Sequence, residues 1–104
     1  MRLIQKKRDG VLYAMPSGEL DQHSALAVRK ELDATLSDGG VKRIEFDLSG
    51  VTFMDSSGVG VLLGRYRTVA ARGGTMGVYG AKGSVEKVLR MSGVYSLTTE
   101  RSSK

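Results

Sequence analysis

Two rhythms of apolar and polar positions run through the chain. The clearer is a period of two over Val41 to Leu48, with Ile44, Phe46 and Leu48 on one side and Arg43, Glu45 and Asp47 on the other. That alternation predicts a half-buried strand. Arg2 to Arg8 can also extend, and Asp9-Gly10 is a strong two-residue hairpin signal. Val11 to Met15 would then return antiparallel, with Pro16 marking its end because it cannot donate to a ladder. Ser17-Gly18-Glu19-Leu20-Asp21 reads as a loop.

The second rhythm is helical. Ala25, Val28, Leu32 and Leu36 recur at spacings of three and four, which predicts a helix over Ser24 to Leu36, stopped by Ser37-Asp38-Gly39-Gly40. After Leu48 a short turn leads to Asp55-Ser56-Ser57-Gly58, which opens a second helix reaching about Arg72. Its buried stripe would be Val59, Leu62, Tyr66 and Val69, and Gly73-Gly74 ends it. Thr75 to Gly80 reads as a short strand. Ser84 caps a third helix through Val85, Val88 and Leu89, terminated near Ser92-Gly93. Val94 to Thr99 is expected as a last strand, and Arg101 to Lys104 as a frayed tail. Strands linked through helices imply a mixed, mostly parallel sheet covered by helices and joined by an N-terminal hairpin: an α/β (α+β) fold.

Composition narrows the chemistry. The 104 residues suit one domain, 1–104, without internal repeats. The absence of cysteine excludes disulfides, thiolate catalysis and cysteine-ligated zinc, and a single histidine excludes a histidine-rich metal site. No apolar run follows the charged N-terminus as a signal peptide requires, and the densest apolar stretch, Val59 to Leu63, is interrupted by Gly60. A soluble, cytoplasmic protein without membrane attachment is expected. The net charge of +5 is concentrated at the ends. Setting aside Arg2, Lys6, Lys7, Arg8, Arg101 and Lys104 leaves ten basic residues against eleven acidic. A nucleic-acid binder concentrates its excess on a folded face, so no direct nucleic-acid partner is expected.

The stretch Phe53-Met54-Asp55-Ser56-Ser57-Gly58-Val59-Gly60 holds the candidate chemistry. Asp55 or Ser56 would serve as N-cap. Ser57 then falls in an exposed first turn, where free amides and the helix dipole tolerate a phosphate. Such a group would add about −1.5 to −2 units of charge. On spacing alone, two ordinary capping serines remain the plainer explanation. Gly58, Gly60 and Gly64 do not make a dinucleotide fingerprint, since the spacing differs and no acidic residue follows at the ribose position. Gly60 and Gly64, one turn apart, are expected to let the helix approach the sheet. A hydrolase built on Ser57 and His23 lacks the G-x-S-x-G elbow, because Asp55 stands two residues before Ser57.

That stretch, continuing through Leu63-Gly64-Arg65-Tyr66-Arg67, resembles the signature of the bacterial anti-sigma-factor antagonists, which are STAS-domain proteins. Gly18-Glu19-Leu20-Asp21 and Leu89-Arg90-Met91-Ser92-Gly93-Val94 fit the same family in order. The resemblance implies a STAS-type fold and a protein that binds partners and is not an enzyme. In its unphosphorylated form it would bind an anti-sigma factor that is also a serine kinase, and so release a sigma factor. The second serine of the motif, Ser57, would be the phosphorylation site, with Asp21, Asp55, Ser56, Ser57 and Gly58 contacting the partner. The kinase would spend ATP and a serine phosphatase would reset the switch, so the chain itself needs no cofactor and no metal. Phe53-Met54 and Gly64-Arg65-Tyr66 lean toward sporulation control and away from the stress-response branch. The alternative is a STAS-like interaction module without a phosphorylation switch. The oligomeric state is open, with a monomer the default expectation. The family often carries a further C-terminal helix, so the edge after Glu100 is expected to be abbreviated.

Overall fold

The chain turns back on itself at Asp9-Gly10, where both residues have positive φ (53° and 79°), as a tight hairpin with the sheet's natural twist requires. The computed structural model describes residues 1–100. Strand β1 (Arg2–Arg8) pairs antiparallel with β2 (Val11–Leu20) across this turn. The remaining elements are α1 (Ala25–Leu36), β3 (Arg43–Asp47), β4 (Gly50–Met54), α2 (Ser56–Ala70), β5 (Thr75–Tyr79), α3 (Gly83–Ser92) and a 3₁₀ turn, Val94–Leu97. The sheet order is β1-β2-β3-β5, with β4 also paired to β2.

Strand β2 organises this sheet. Its first half, Val11 to Ala14, runs parallel to β3, and its second half, Ser17 to Leu20, runs parallel to β4. The strand therefore does not stop at Pro16, and the expected loop after it is strand. Residues 15 and 16 register with neither β3 nor β4, so the missing N–H falls where the partner changes. The expected short turn before Asp55 is likewise strand, β4. Its register slips where Gly18 faces Val51 and Glu19 faces Phe53, leaving Thr52 as the extra residue of a bulge. The bulge puts buried Val51 and Met54 three apart, which removes the period of two a strand normally shows.

The core lies between the sheet and the helices. Leu12, Ala14 and Leu20 of β2 and Ile44 and Phe46 of β3 meet Val28, Leu32 and Leu36 of α1 and Val59, Leu62 and Val69 of α2. Met76, Val85, Leu89 and Val94 close the far side. On α2 the expected Val59, Leu62 and Val69 are buried and are joined by Val61 and Arg65, while Tyr66 is only half-buried. The first turn of α3 has Lys82, not Ser84, at its N-cap, and Gly93 ends that helix in the left-handed conformation at φ 82°. The expected last strand is the 3₁₀ turn Val94–Leu97, after which Thr99 N–H donates to Met76 O at 2.9 Å. The basic residues Arg2, Lys6, Lys7 and Arg8 lie along β1, at the edge of the sheet, where charge discourages pairing with another chain. The other expected basic residues, Arg101 and Lys104, lie outside the described residues.

The polar side of β3 is less exposed than the alternation suggests, for Glu45 is only 3% accessible. Arg43 Nε donates to Glu45 Oε2 at 2.7 Å. The same guanidinium reaches Thr75 Oγ1, Thr99 Oγ1 and the Thr99 carbonyl, each at 2.8 Å, and so fastens the C-terminal segment to the sheet. Removing one member of a buried pair strands the other's charge. Arg43→Ala is therefore expected to lower stability by about 3 kcal/mol. Arg43→Ala combined with Glu45→Ala should recover part of that loss, as read from urea midpoints at unchanged m-value.

Candidate functional site at the start of α2

Strand β4 delivers the chain to Asp55, whose extended backbone (φ −116°, ψ −168°) turns it into α2. One carboxylate oxygen, Oδ1, accepts from Ser57 N–H at 2.9 Å and Gly58 N–H at 3.2 Å. The Asp55 carbonyl takes Val59 N–H at 3.1 Å. Asp55, not Ser56, is thus the N-cap, with Ser56 exposed and Ser57 half-buried in the first turn. The free amides expected around Ser57 are not free, because Asp55 already satisfies them. The other oxygen, Oδ2, accepts Gln22 N–H at 3.3 Å and ties the β2–α1 turn to the start of α2.

Gly58 fixes how closely α2 approaches the sheet. A Cβ there would stand 2.5 Å from the Leu20 carbonyl oxygen and 2.7 Å from Met54 Cγ, far inside contact distance. The close approach expected at Gly60 and Gly64 is absent, since a side chain at either would meet open space. Those two glycines leave the outer face of the helix bare.

The β2–α1 turn is built on Asp21. Its Oδ1 accepts from His23 N–H at 2.9 Å and Ser24 N–H at 3.2 Å, and its carbonyl takes Ala25 N–H at 2.9 Å. Ser24 Oγ donates to the Glu19 carbonyl at 2.7 Å and accepts from Asp21 N–H at 3.1 Å. Burial pushes the Asp21 carboxyl up, but the hydrogen bonds from His23 and Ser24 and the nearby imidazole outweigh it. The net position is below the ordinary carboxylate value. Asp21 is therefore both a surface residue at this corner and the group that shapes its loop. His23 is exposed, and among the described residues its ring makes no hydrogen bond to Ser57. The hydrolase arrangement is not assembled.

The five residues singled out from the sequence, Asp21, Asp55, Ser56, Ser57 and Gly58, meet at one corner, joined through the Gln22–Asp55 hydrogen bond. Beside it runs a groove of about 380 Å³ between α1 and α2, lined by Ser57, Gly60 and Val61 on one wall and by Gln22, Leu26 and Arg29 on the other. Leu26 is 50% exposed, and Phe53, on β4, is 45% exposed. Sequence reading passed over the α1 wall, although Leu26 and Arg29 share one helical face by spacing. Arg65 entered that reading as part of the motif, without a structural role. This side chain is 7% accessible, with Nε 3.0 Å from Asp33 Oδ1, and it bridges the two helices. Burial draws its pKa down against the opposing pull of Asp33. No cluster of His, Cys, Asp or Glu among the described residues is arranged to hold a metal ion. No helix among them is long and apolar enough to cross a membrane.

The sequence pattern of the STAS domain matches residues 2–103. This chain belongs to the STAS-domain family. Within that family it falls among the anti-sigma-factor antagonists. It is 40% identical over 97 residues to the anti-sigma F factor antagonist of Paenibacillus polymyxa, covering 93% of this chain and 83% of the relative. The fold matches the anti-sigma factor antagonist SpoIIAA in its unphosphorylated form with a TM-score of 0.73 at 27% identity, over 86% of this chain and 83% of that one. It also matches Bacillus SpoIIAA in the phosphorylated form with a TM-score of 0.76 at 26% identity, over 97% and 92% of the two chains. The five-stranded sheet with its three α-helices is thus the STAS arrangement expected from the motif.

The lowered pKa of Asp21 carries a sign for this STAS domain. Its ionised form stabilises the β2–α1 turn above the unfolded carboxylate value of about 3.9. That contribution is lost as pH falls through the lower, folded value. Asp21→Asn should accordingly flatten the acid limb of stability against pH, and an unchanged limb in urea titrations would remove Asp21 from that role.

Proposed function

We propose that this protein is an anti-sigma-factor antagonist whose unphosphorylated Ser57 corner binds an anti-sigma factor that is also a serine kinase, and so frees a sigma factor. The observation that carries the reading is the Ser57 corner itself. A serine is held in fixed position on a capped helix, beside exposed Leu26, and among the described residues no base is hydrogen-bonded to it to make it a nucleophile of its own. The naming of the Paenibacillus polymyxa relative, and the existence of phosphorylated and unphosphorylated forms of SpoIIAA, support it.

In this reading the partner kinase brings ATP to Ser57. The Ser57 oxygen bonds to the γ-phosphorus as the bond to the β–γ bridging oxygen breaks. ADP leaves, and the hydroxyl proton passes to a base of the kinase. The product carries about −1.5 to −2 added charge beside Asp55 and Asp21. Bulk and like-charge conflict then end the interaction, while the helix start that Asp55 caps stays folded. A serine phosphatase hydrolyses the ester and returns the hydroxyl. The chain is a substrate and a ligand in this cycle and not an enzyme. It requires no cofactor, works in the cytoplasm, and belongs to sporulation control.

Incubation with the cognate anti-sigma kinase and ATP, followed by intact and peptide mass spectrometry, tests the assignment. A single phosphate on Ser57 is expected, and none on Ser57→Ala, which should stay bound to the kinase. No phosphate from a kinase active on another antagonist would leave a STAS interaction module without a switch.

A further inference from the structure

The phosphate proposed for Ser57 needs a counter-charge, and the start of α2 does not supply one. The amides of Ser57 and Gly58 are bonded to Asp55 Oδ1 and that of Val59 to the Asp55 carbonyl. The Asp55 carboxylate itself repels a second anion, as does Asp21 from the adjoining turn. A phosphate on Ser57 is thereby turned away from the cap and toward the α1–α2 groove that its residue lines.

The opposite wall of that groove carries an unneutralised cation. Arg29 is exposed, and among the described residues its guanidinium has neither a hydrogen bond nor an ion pair. One helical turn further on, Asp33 is the carboxylate that an arginine at this position would ordinarily take. Asp33 is engaged instead by Arg65 Nε at 3.0 Å. Arg65 thus takes the carboxylate and Arg29 is left without one, while the charge of Arg29 adds to the burial that already lowers the Arg65 pKa. The groove beside Ser57 is short of one negative charge.

We infer that Arg29 is the intramolecular partner of the Ser57 phosphate, drawing it across the α1–α2 groove. The inference rests on the proposed phosphorylation of Ser57. A guanidinium presents paired N–H donors that match phosphate oxygens. The phosphate lies over bare Gly60 and against Leu26, so modification both changes the charge of this corner and fills the groove a partner would use. His23 and Asp21 belong to the adjoining turn, and Asp33 and Arg65 form the neighbouring ion pair, but among the described residues only Arg29 combines an unpaired positive charge with a place in the groove wall.

Phosphoserine installed genetically at position 57 of the full chain tests this without any kinase. Failure of the kinase experiment above and failure of this one are therefore separable. The ³¹P chemical shift is followed against pH for the parent, Arg29→Gln, Arg29→Lys and the neighbouring Lys30→Gln. The second phosphate pKa is expected to rise by about half a unit in Arg29→Gln, less in Arg29→Lys, and to stay in place in Lys30→Gln. Release of phosphate by alkaline phosphatase should be about threefold faster from Arg29→Gln than from the parent, as the ester is no longer held. An identical pKa and release rate in the parent and Arg29→Gln would overturn the pairing. An equal shift in Lys30→Gln would overturn it as well, by assigning the effect to the diffuse charge of α1.

Discussion

One carboxylate holds the Ser57 corner together. Asp55 divides its oxygens between two segments, capping α2 through Ser57 and Gly58 with one and receiving Gln22 from the β2–α1 turn with the other. Both segments emerge from neighbouring strands. Leu20 of β2 registers with Met54 of β4, so the chain leaves the sheet twice, side by side, at the same end. The Asp21 turn and the Ser57 helix are adjacent because β2 is long enough to serve β3 with its first half and β4 with its second. Gly58 completes the constraint by letting α2 sit directly on the Leu20 carbonyl.

A corner built this way favours a switch that acts on the surface and not on the fold. Two unit charges 4 Å apart interact by roughly 1 to 4 kcal/mol between bulk water and a protein surface. About 1.4 kcal/mol is tenfold in affinity, so a phosphate beside Asp55 and Asp21 can shift a partner's binding by one to three orders of magnitude. A small domain is held by about 5–15 kcal/mol, and the hydrogen bonds that define the start of α2 are made by Asp55 without any contribution from the Ser57 hydroxyl. The proposed modification would therefore outweigh a typical interface contact and leave the folded state in place. The bridge from Arg65 to Asp33 matters in the same way, because it fixes the two walls of the groove and leaves Arg29 as its uncompensated charge.

The sequence made some of this legible and hid the rest for physical reasons. The alternation at Ile44, Phe46 and Leu48 and the helical spacing of Val28, Leu32 and Leu36 report burial on one face, and those elements are where they were expected. Strand β4 was invisible because the bulge at Thr52 replaces a period of two with a spacing of three. Pro16 misled because its missing N–H coincides with a change of strand partner, a fact of topology that no local signal carries. Val94 to Leu97 is apolar enough for a strand but follows directly on the left-handed Gly93, and it closes into a 3₁₀ turn. At the site, the Asp-Ser-Ser-Gly motif brought out Asp55 and Ser57, and Asp21 came through family likeness alone. The roles of Arg29 and Arg65 depend on which helix faces which, and that appears only once α1 and α2 are packed.

The central claim is that charge on Ser57 decides whether the corner is open to its partner. Calorimetric titration of the cognate anti-sigma factor with homogeneous unmodified and Ser57-phosphorylated chain tests it most directly, with backbone amide spectra of both forms recorded alongside. The account predicts at least tenfold weaker binding by the phosphorylated chain, with amide shifts confined to the β2–α1 turn and the first turns of α1 and α2. Equal affinities, or shifts spread across the sheet, would contradict it.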